Sequence, residues 1–168
     1  MDLAWFEHIL WARLLLISIV ENLDDLEQTK TRLLENPKDI ANIFQKYYGN
    51  NTASIIEKLL TEHLVIGYNL IVALKTGKQK VIDELNKKWY KNADDMVDEL
   101  NRLNTFYLRE ELHDMLYNYL KLLTEEAVAR LKSDYTKDIK AHEMLQEEVL
   151  QMSEFFANGI FKQFPHLF

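Results

Sequence analysis

The stretch NTASIIEKLLTEHLVIGYNLIVALKTG, residues 51–77, decides the fold. Its apolar residues fall at Ile56, Leu59, Leu60, Ile66, Gly67, Leu70, Ala73 and Leu74, the spacing of one helix face. Asn51 or Thr52 supplies a cap at the start, and Gly77 a stop. His63 lies at the centre of the apolar stripe. A polar ring there is either held by hydrogen bonds inside a core or belongs to a site.

The same spacing continues downstream. Lys78 opens a helix carrying Val81, Ile82, Leu85, Trp89, Ala93, Met96, Val97 and Leu100. Asn101 to Tyr107 reads as a connection. A further helix spans about Leu108 to Lys132, with Leu112, Met115, Leu116, Tyr119, Leu122, Leu123 and Ala127 on one face. Ser133–Asp134 makes a turn and caps a last helix that ends before Pro165. Shifting the chain by about 56 residues lays Leu60 on Leu116, His63 on Tyr119, Ala73 on Ala129, Gly77 on Ser133 and Met96 on Met152. The second half therefore reads as two long antiparallel hairpins in series.

Upstream, a helix from about Leu3 to Asn22 is apolar on most sides and must be buried. Asn36-Pro37-Lys38-Asp39 has the composition of a helix start, with Asn as cap and Pro in the first turn. The short helix it would open stops near Gly49. The expected architecture is all-α: an up-down bundle of two long hairpins, a buried N-terminal helix and a short helix, in a single domain over residues 1–168.

Only 4 Gly and 2 Pro interrupt 168 residues, and cysteine is absent, which removes disulfides and thiolate metal sites. A net charge of −7 argues against nucleic acid or an anionic membrane as partner. The N-terminal apolar run is broken by Glu7, His8, Arg13 and Glu21, too closely for a membrane span of roughly 20 residues. A cytoplasmic protein is expected.

Bundle sites are built from inward side chains on facing helices. The polar residues on apolar stripes are His8, His63, Asn92 beside Trp89, Tyr119, Glu126, His142 and Gln163. His63 and Tyr119 each precede their turn by about fourteen residues, or roughly 21 Å of helix. Glu126 precedes the second turn by seven residues and His142 follows it by nine. These two are expected at one height as a core polar pair. The pairs Asp94-Asp95 and Glu147-Glu148 read as solvated.

The single Glu-x-x-His, Glu110 to His113, lies at a helix start, which does not suit a di-iron bundle. His63 should sit about two turns from the Glu126 layer, too far to share one ion with it. That leaves His8 and His63 as the candidate ligands for a divalent metal. No Gly-rich phosphate loop, Gly-x-Ser-x-Gly elbow or His-Glu-x-x-His is present.

Several stretches resemble a family of small all-helical bacterial proteins, chiefly of Gram-positive spore-formers and their relatives. They are Trp5-Phe6-Glu7-His8-Ile9-Leu10-Trp11-Ala12-Arg13, Leu59-Leu60-Thr61-Glu62-His63-Leu64, Lys88-Trp89-Tyr90-Lys91-Asn92-Ala93-Asp94 and Gly159-Ile160-Phe161-Lys162-Gln163-Phe164-Pro165. The resemblance implies a helical fold and carries no established activity. Members sometimes bear the labels glycosyltransferase or acetylglutamate kinase, chemistries of nucleotide-binding α/β folds whose patterns this chain lacks. It singles out His8, Trp11, Arg13, His63, Trp89, Asn92 and Gln163, and its pattern has a histidine where this chain has Tyr119.

The expected ligand-binding set is therefore His8, Arg13, His63, Trp89, Asn92 and Tyr119. The leading expectation is a bundle that binds a metal ion or small ligand at this internal polar layer. The alternatives are an interaction protein that forms a homodimer through its apolar N-terminal helix, and a metal-dependent hydrolase-like bundle.

Overall fold

A computed structural model describes residues 1–168 as five α-helices and no strand: α1 Asp2–Glu21, α2 Leu26–Thr76, α3 Gln79–Leu103, α4 Arg109–Leu131 and α5 Tyr135–Gln163. A 3-10 turn, Pro165–Leu167, ends the chain. The bundle is all-α. Helix α2 is broken at Gly49, whose φ of 81° and ψ of 175° are not helical. Its two halves, residues 26–48 and 50–76, belong to different hairpins.

The chain thus folds as three αα-hairpins in series: α1 with the first half of α2, the second half of α2 with α3, and α4 with α5. Contacts of α5 with α1 and of α3 with α4 close the bundle. The 56-residue shift seen in the second half extends to the N-terminal hairpin. Each hairpin turns at a left-handed residue: Asn22 at φ 55°, Gly77 at φ 66° and Ser133 at φ 57°. Only residues that tolerate this conformation turn the chain so tightly. In the first hairpin Ser18 donates to Asp25 at 2.7 Å, and in the last Asp134 accepts from the Lys137 backbone N–H.

The core repeats as well. Trp5, Leu60 and Leu116 are equivalent positions, as are Ile40, Met96 and Met152, and Phe44, Leu100 and Phe156; all are buried. Each hairpin turns one apolar stripe to the same interior, and the nine side chains form the middle of one continuous core.

One local expectation is corrected. Pro37 does not start a helix: α2 runs unbroken through it from Leu26. An interior proline costs about 3 kcal/mol of local helix stability. Burial of Leu33, Pro37, Ile40, Ala41 and Phe44 along this half of α2 offsets that cost. The packing overrides the local rule.

Helix α1 is long and apolar enough to cross a membrane by composition, yet it packs on α2 and α5 and buries Trp5, Ile9, Leu15, Leu16 and Ile19. Leu3, Phe6, Leu10 and Leu14 are left exposed at helical spacing on its other face.

Candidate functional site

Two histidine–asparagine clamps hold the centre of the bundle. In the first, Asn36 on α2 donates from Nδ2 to the Ala4 carbonyl at 2.8 Å, and its Oδ1 lies 2.9 Å from His8 Nδ1. In the second, Asn92 on α3 donates to the Leu59 carbonyl at 3.2 Å, and its Oδ1 lies 2.9 Å from His63 Nδ1. A backbone carbonyl can only accept, so each amide is fixed with its oxygen towards the ring. Each imidazole then donates from Nδ1–H, and each Nε2 carries a lone pair.

The two lone pairs meet different fates. Tyr119 on α4 donates its hydroxyl proton to His8 Nε2 at 2.9 Å. His63 Nε2 makes no hydrogen bond, and the His63 side chain lines an internal cavity. Trp89 steadies His63 from behind, donating from Nε1 to the His63 carbonyl at 3.1 Å with its ring 5.2 Å from the imidazole. Gly67 allows this approach, since a Cβ there would lie 3.1 Å from the Trp89 ring.

The cavity measures about 40 Å³ and is lined mostly by apolar side chains, among them Trp5, Phe44, Leu60, Met96, Leu116 and Phe156. His8, His63 and Tyr119 add polarity on one side. Its one carboxylate, Glu99, is ion-paired to Arg102 at 2.5 Å. Trp5 Nε1 is a further buried polar atom without a partner.

Burial sets the charge state of this layer. It pushes His8 below the ordinary imidazole range against the Asn36 bond, and it pushes His63 down to about 4, helped by nearby His8. Burial also raises Tyr119, as does the Glu126 charge below it. At neutral pH the layer holds two neutral imidazoles and a neutral phenol. The unfolded chain protonates His63 near pH 6.5, whereas the folded chain does so only near pH 4. Stability is therefore complete above pH 6.5 and should fall by about 1.4 kcal/mol per unit as pH drops towards 4. Urea unfolding across that range, compared between wild type and His63→Phe, measures the slope; equal slopes would contradict it.

A second polar cluster occupies the bundle end nearest the Asn22 and Ser133 turns. Arg13 on α1 lies 2.6 Å from Glu126 on α4 and forms a two-pronged pair with Asp138 on α5. Arg130 bonds Asp138 at 3.2 Å and Glu21 at 2.9 Å. Burial alone would raise the Asp138 carboxyl, but the bonds from Arg13 and Arg130 outweigh it and hold it below the usual range. His142 Nδ1 sits 3.0 Å from Glu126 Oε1 without the alignment of a hydrogen bond, and Glu126 Oε2 has no partner. His142 is partly exposed, with Glu126 fully buried.

The structure thus divides the expected site residues. His8, His63 and Tyr119 converge on the cavity. Asn92 and Trp89 hold His63 in place rather than facing the cavity. Arg13 belongs to the ion cluster, together with the Glu126–His142 pair, and does not reach the cavity. Gln163 lies elsewhere, accepting from Tyr48 at 3.0 Å. Glu148, read as solvated, is buried and accepts from Asn118 at 2.5 Å.

Sequence reasoning missed Asn36, Asp138 and Arg130. Asn36 carried a signal: it precedes Asn92 by 56 residues, the hairpin repeat. No group of three or more His, Asp or Glu side chains has a metal-holding arrangement. No protein-family model, no curated protein and no solved structure matches the chain, so its own geometry carries the functional reading.

Proposed function

We propose that the bundle binds a small, uncharged, largely apolar molecule that donates one hydrogen bond to His63 Nε2. The carrying observation is that lone pair: its tautomer is fixed by Asn92, no protein donor meets it, and the walls around it are apolar. An unpaired acceptor on a residue lining an apolar cavity favours a ligand with a single donor, such as a short alcohol. The space suits a ligand on the order of a few heavy atoms, or two or three waters.

A divalent cation suits the donors less well. His8 Nε2 is already taken by Tyr119, and no carboxylate other than the ion-paired Glu99 faces the cavity. A metal there would lose its hydration for a single free nitrogen. Thermal unfolding with added methanol or ethanol tests the reading, with His63→Phe as control. A rise in midpoint for wild type, absent in the variant, supports it. No shift with any donor, or an equal shift in the variant, refutes it.

A second reading rests on α1. Its exposed stripe of Leu3, Phe6, Leu10 and Leu14 fits self-association of two copies through this helix. Sedimentation should then show a dimer that Leu10→Glu dissociates; a monomer at all concentrations would end that reading.

A further inference from the structure

The two clamps are copies of one design. His8 and His63 are 55 residues apart and Asn36 and Asn92 are 56 apart, each asparagine joining the imidazole to the carbonyl one turn before it. The third hairpin places Tyr119 and Glu148 at the equivalent positions. There the clamp is gone: Glu148 bonds Asn118, the neighbour of Tyr119, and Tyr119 turns its proton to His8.

The cavity follows the repeat. Trp5, Leu60 and Leu116 all line it, as do the equivalent sets at Ile40, Phe44 and His8. It is the place where the three hairpins present their corresponding residues to one another.

We propose that Tyr119 is the specificity-determining residue of this cavity. It makes a centre that the repeat would otherwise build from three imidazoles select a neutral donor over a divalent cation. The inference rests on the ligand-binding reading above.

Three clamped imidazoles would turn three Nε2 lone pairs inward. Around a zinc-like ion at Zn–N distances near 2.0 Å, such rings have centroids about 5 Å apart. The Tyr119 ring centroid lies 5.9 Å from that of His8 and 6.3 Å from that of His63, so a third imidazole there would have to close by about 1 Å on each to meet them on one ion. Tyr119 prevents it in two ways. It offers a neutral hydroxyl in place of a third ring nitrogen, and its proton occupies His8 Nε2. One nitrogen, on His63, is left for a ligand. That is enough to accept a hydrogen bond and too little to replace the water around a cation.

The test titrates Co²⁺ and ethanol into three proteins: wild type, Tyr119→His/Glu148→Asn, which rebuilds the third clamp, and Tyr119→Phe, which only frees His8 Nε2. Tetrahedral cobalt is read from its intense visible bands. Wild type should show none, Tyr119→Phe should bind Co²⁺ more tightly than wild type, and the double variant tightest with tetrahedral bands. If the double variant does not fold, the order of Tyr119→Phe and wild type decides. Equal Co²⁺ affinity in wild type and Tyr119→Phe, or a folded double variant without gain, overturns the proposal. Failure of wild type to bind ethanol would instead count against the ligand reading and leave the Co²⁺ order to judge Tyr119.

Discussion

Arg13→Ala is expected to destabilise the protein by about 3–5 kcal/mol at neutral pH. Arg13 faces two carboxylates that are fully buried, Glu126 and Asp138, and its guanidinium is itself mostly buried. Removing it leaves Glu126 with only the misaligned His142 and leaves Asp138 to Arg130 alone. Uncompensated buried charge in a low dielectric is costly.

The pH dependence follows from Asp138. Its carboxyl is held below the ordinary range by Arg13 and Arg130 against the opposing effect of burial. The stabilisation is present above the unfolded carboxyl range and is lost as pH falls through the lower folded value. The penalty of Arg13→Ala should therefore shrink in acid. Denaturant unfolding at neutral and acidic pH measures it. A loss under about 1 kcal/mol at neutral pH, or one that grows in acid, would contradict this account of the cluster.

Asn36→Ala should cost about 2–4 kcal/mol. The side chain is fully buried, is the partner of the His8 Nδ1–H, and adds a second hydrogen bond to the Ala4 carbonyl that the α1 ladder already pairs. Truncation strands the His8 Nδ1–H and the Asn36 side of the Ala4 carbonyl, and leaves a void against α1. It also releases the His8 tautomer, so the ring could carry its proton on Nε2 and reverse that bond, with the Tyr119 hydroxyl accepting. Unfolding measurements give the cost. A change within about 0.5 kcal/mol would mean that Asn36 is not a structural clamp.

The hairpins were legible because they are written in local spacing. Gly77 and Ser133 stand between helical stripes, and the break at Gly49 carries its own signal. Counting residues from the second turn put Glu126 and His142 at one height, and they lie 3.0 Å apart. What counting could not supply was Arg13, because packing between hairpins leaves no period in the sequence.

Asn36 was obscured by the proline after it, which makes the pair look like a helix start. The repeat could have corrected that reading. His8, His63 and Tyr119 each stand fourteen residues before a left-handed turn residue, Asn22, Gly77 and Ser133. Asn22 in place of glycine concealed the first of the three.

The open lone pair on His63 is tested most directly by the ¹⁵N resonances of its imidazole in labelled protein. At pH 7 the account predicts a neutral ring protonated on Nδ1, with an unprotonated Nε2 signal that persists to near pH 5, above its folded value of about 4. Added ethanol should move that Nε2 resonance in the direction of an accepted hydrogen bond and leave His142 unchanged. An Nε2–H tautomer, a charged ring at pH 7, or an Nε2 signal indifferent to every donor would contradict it.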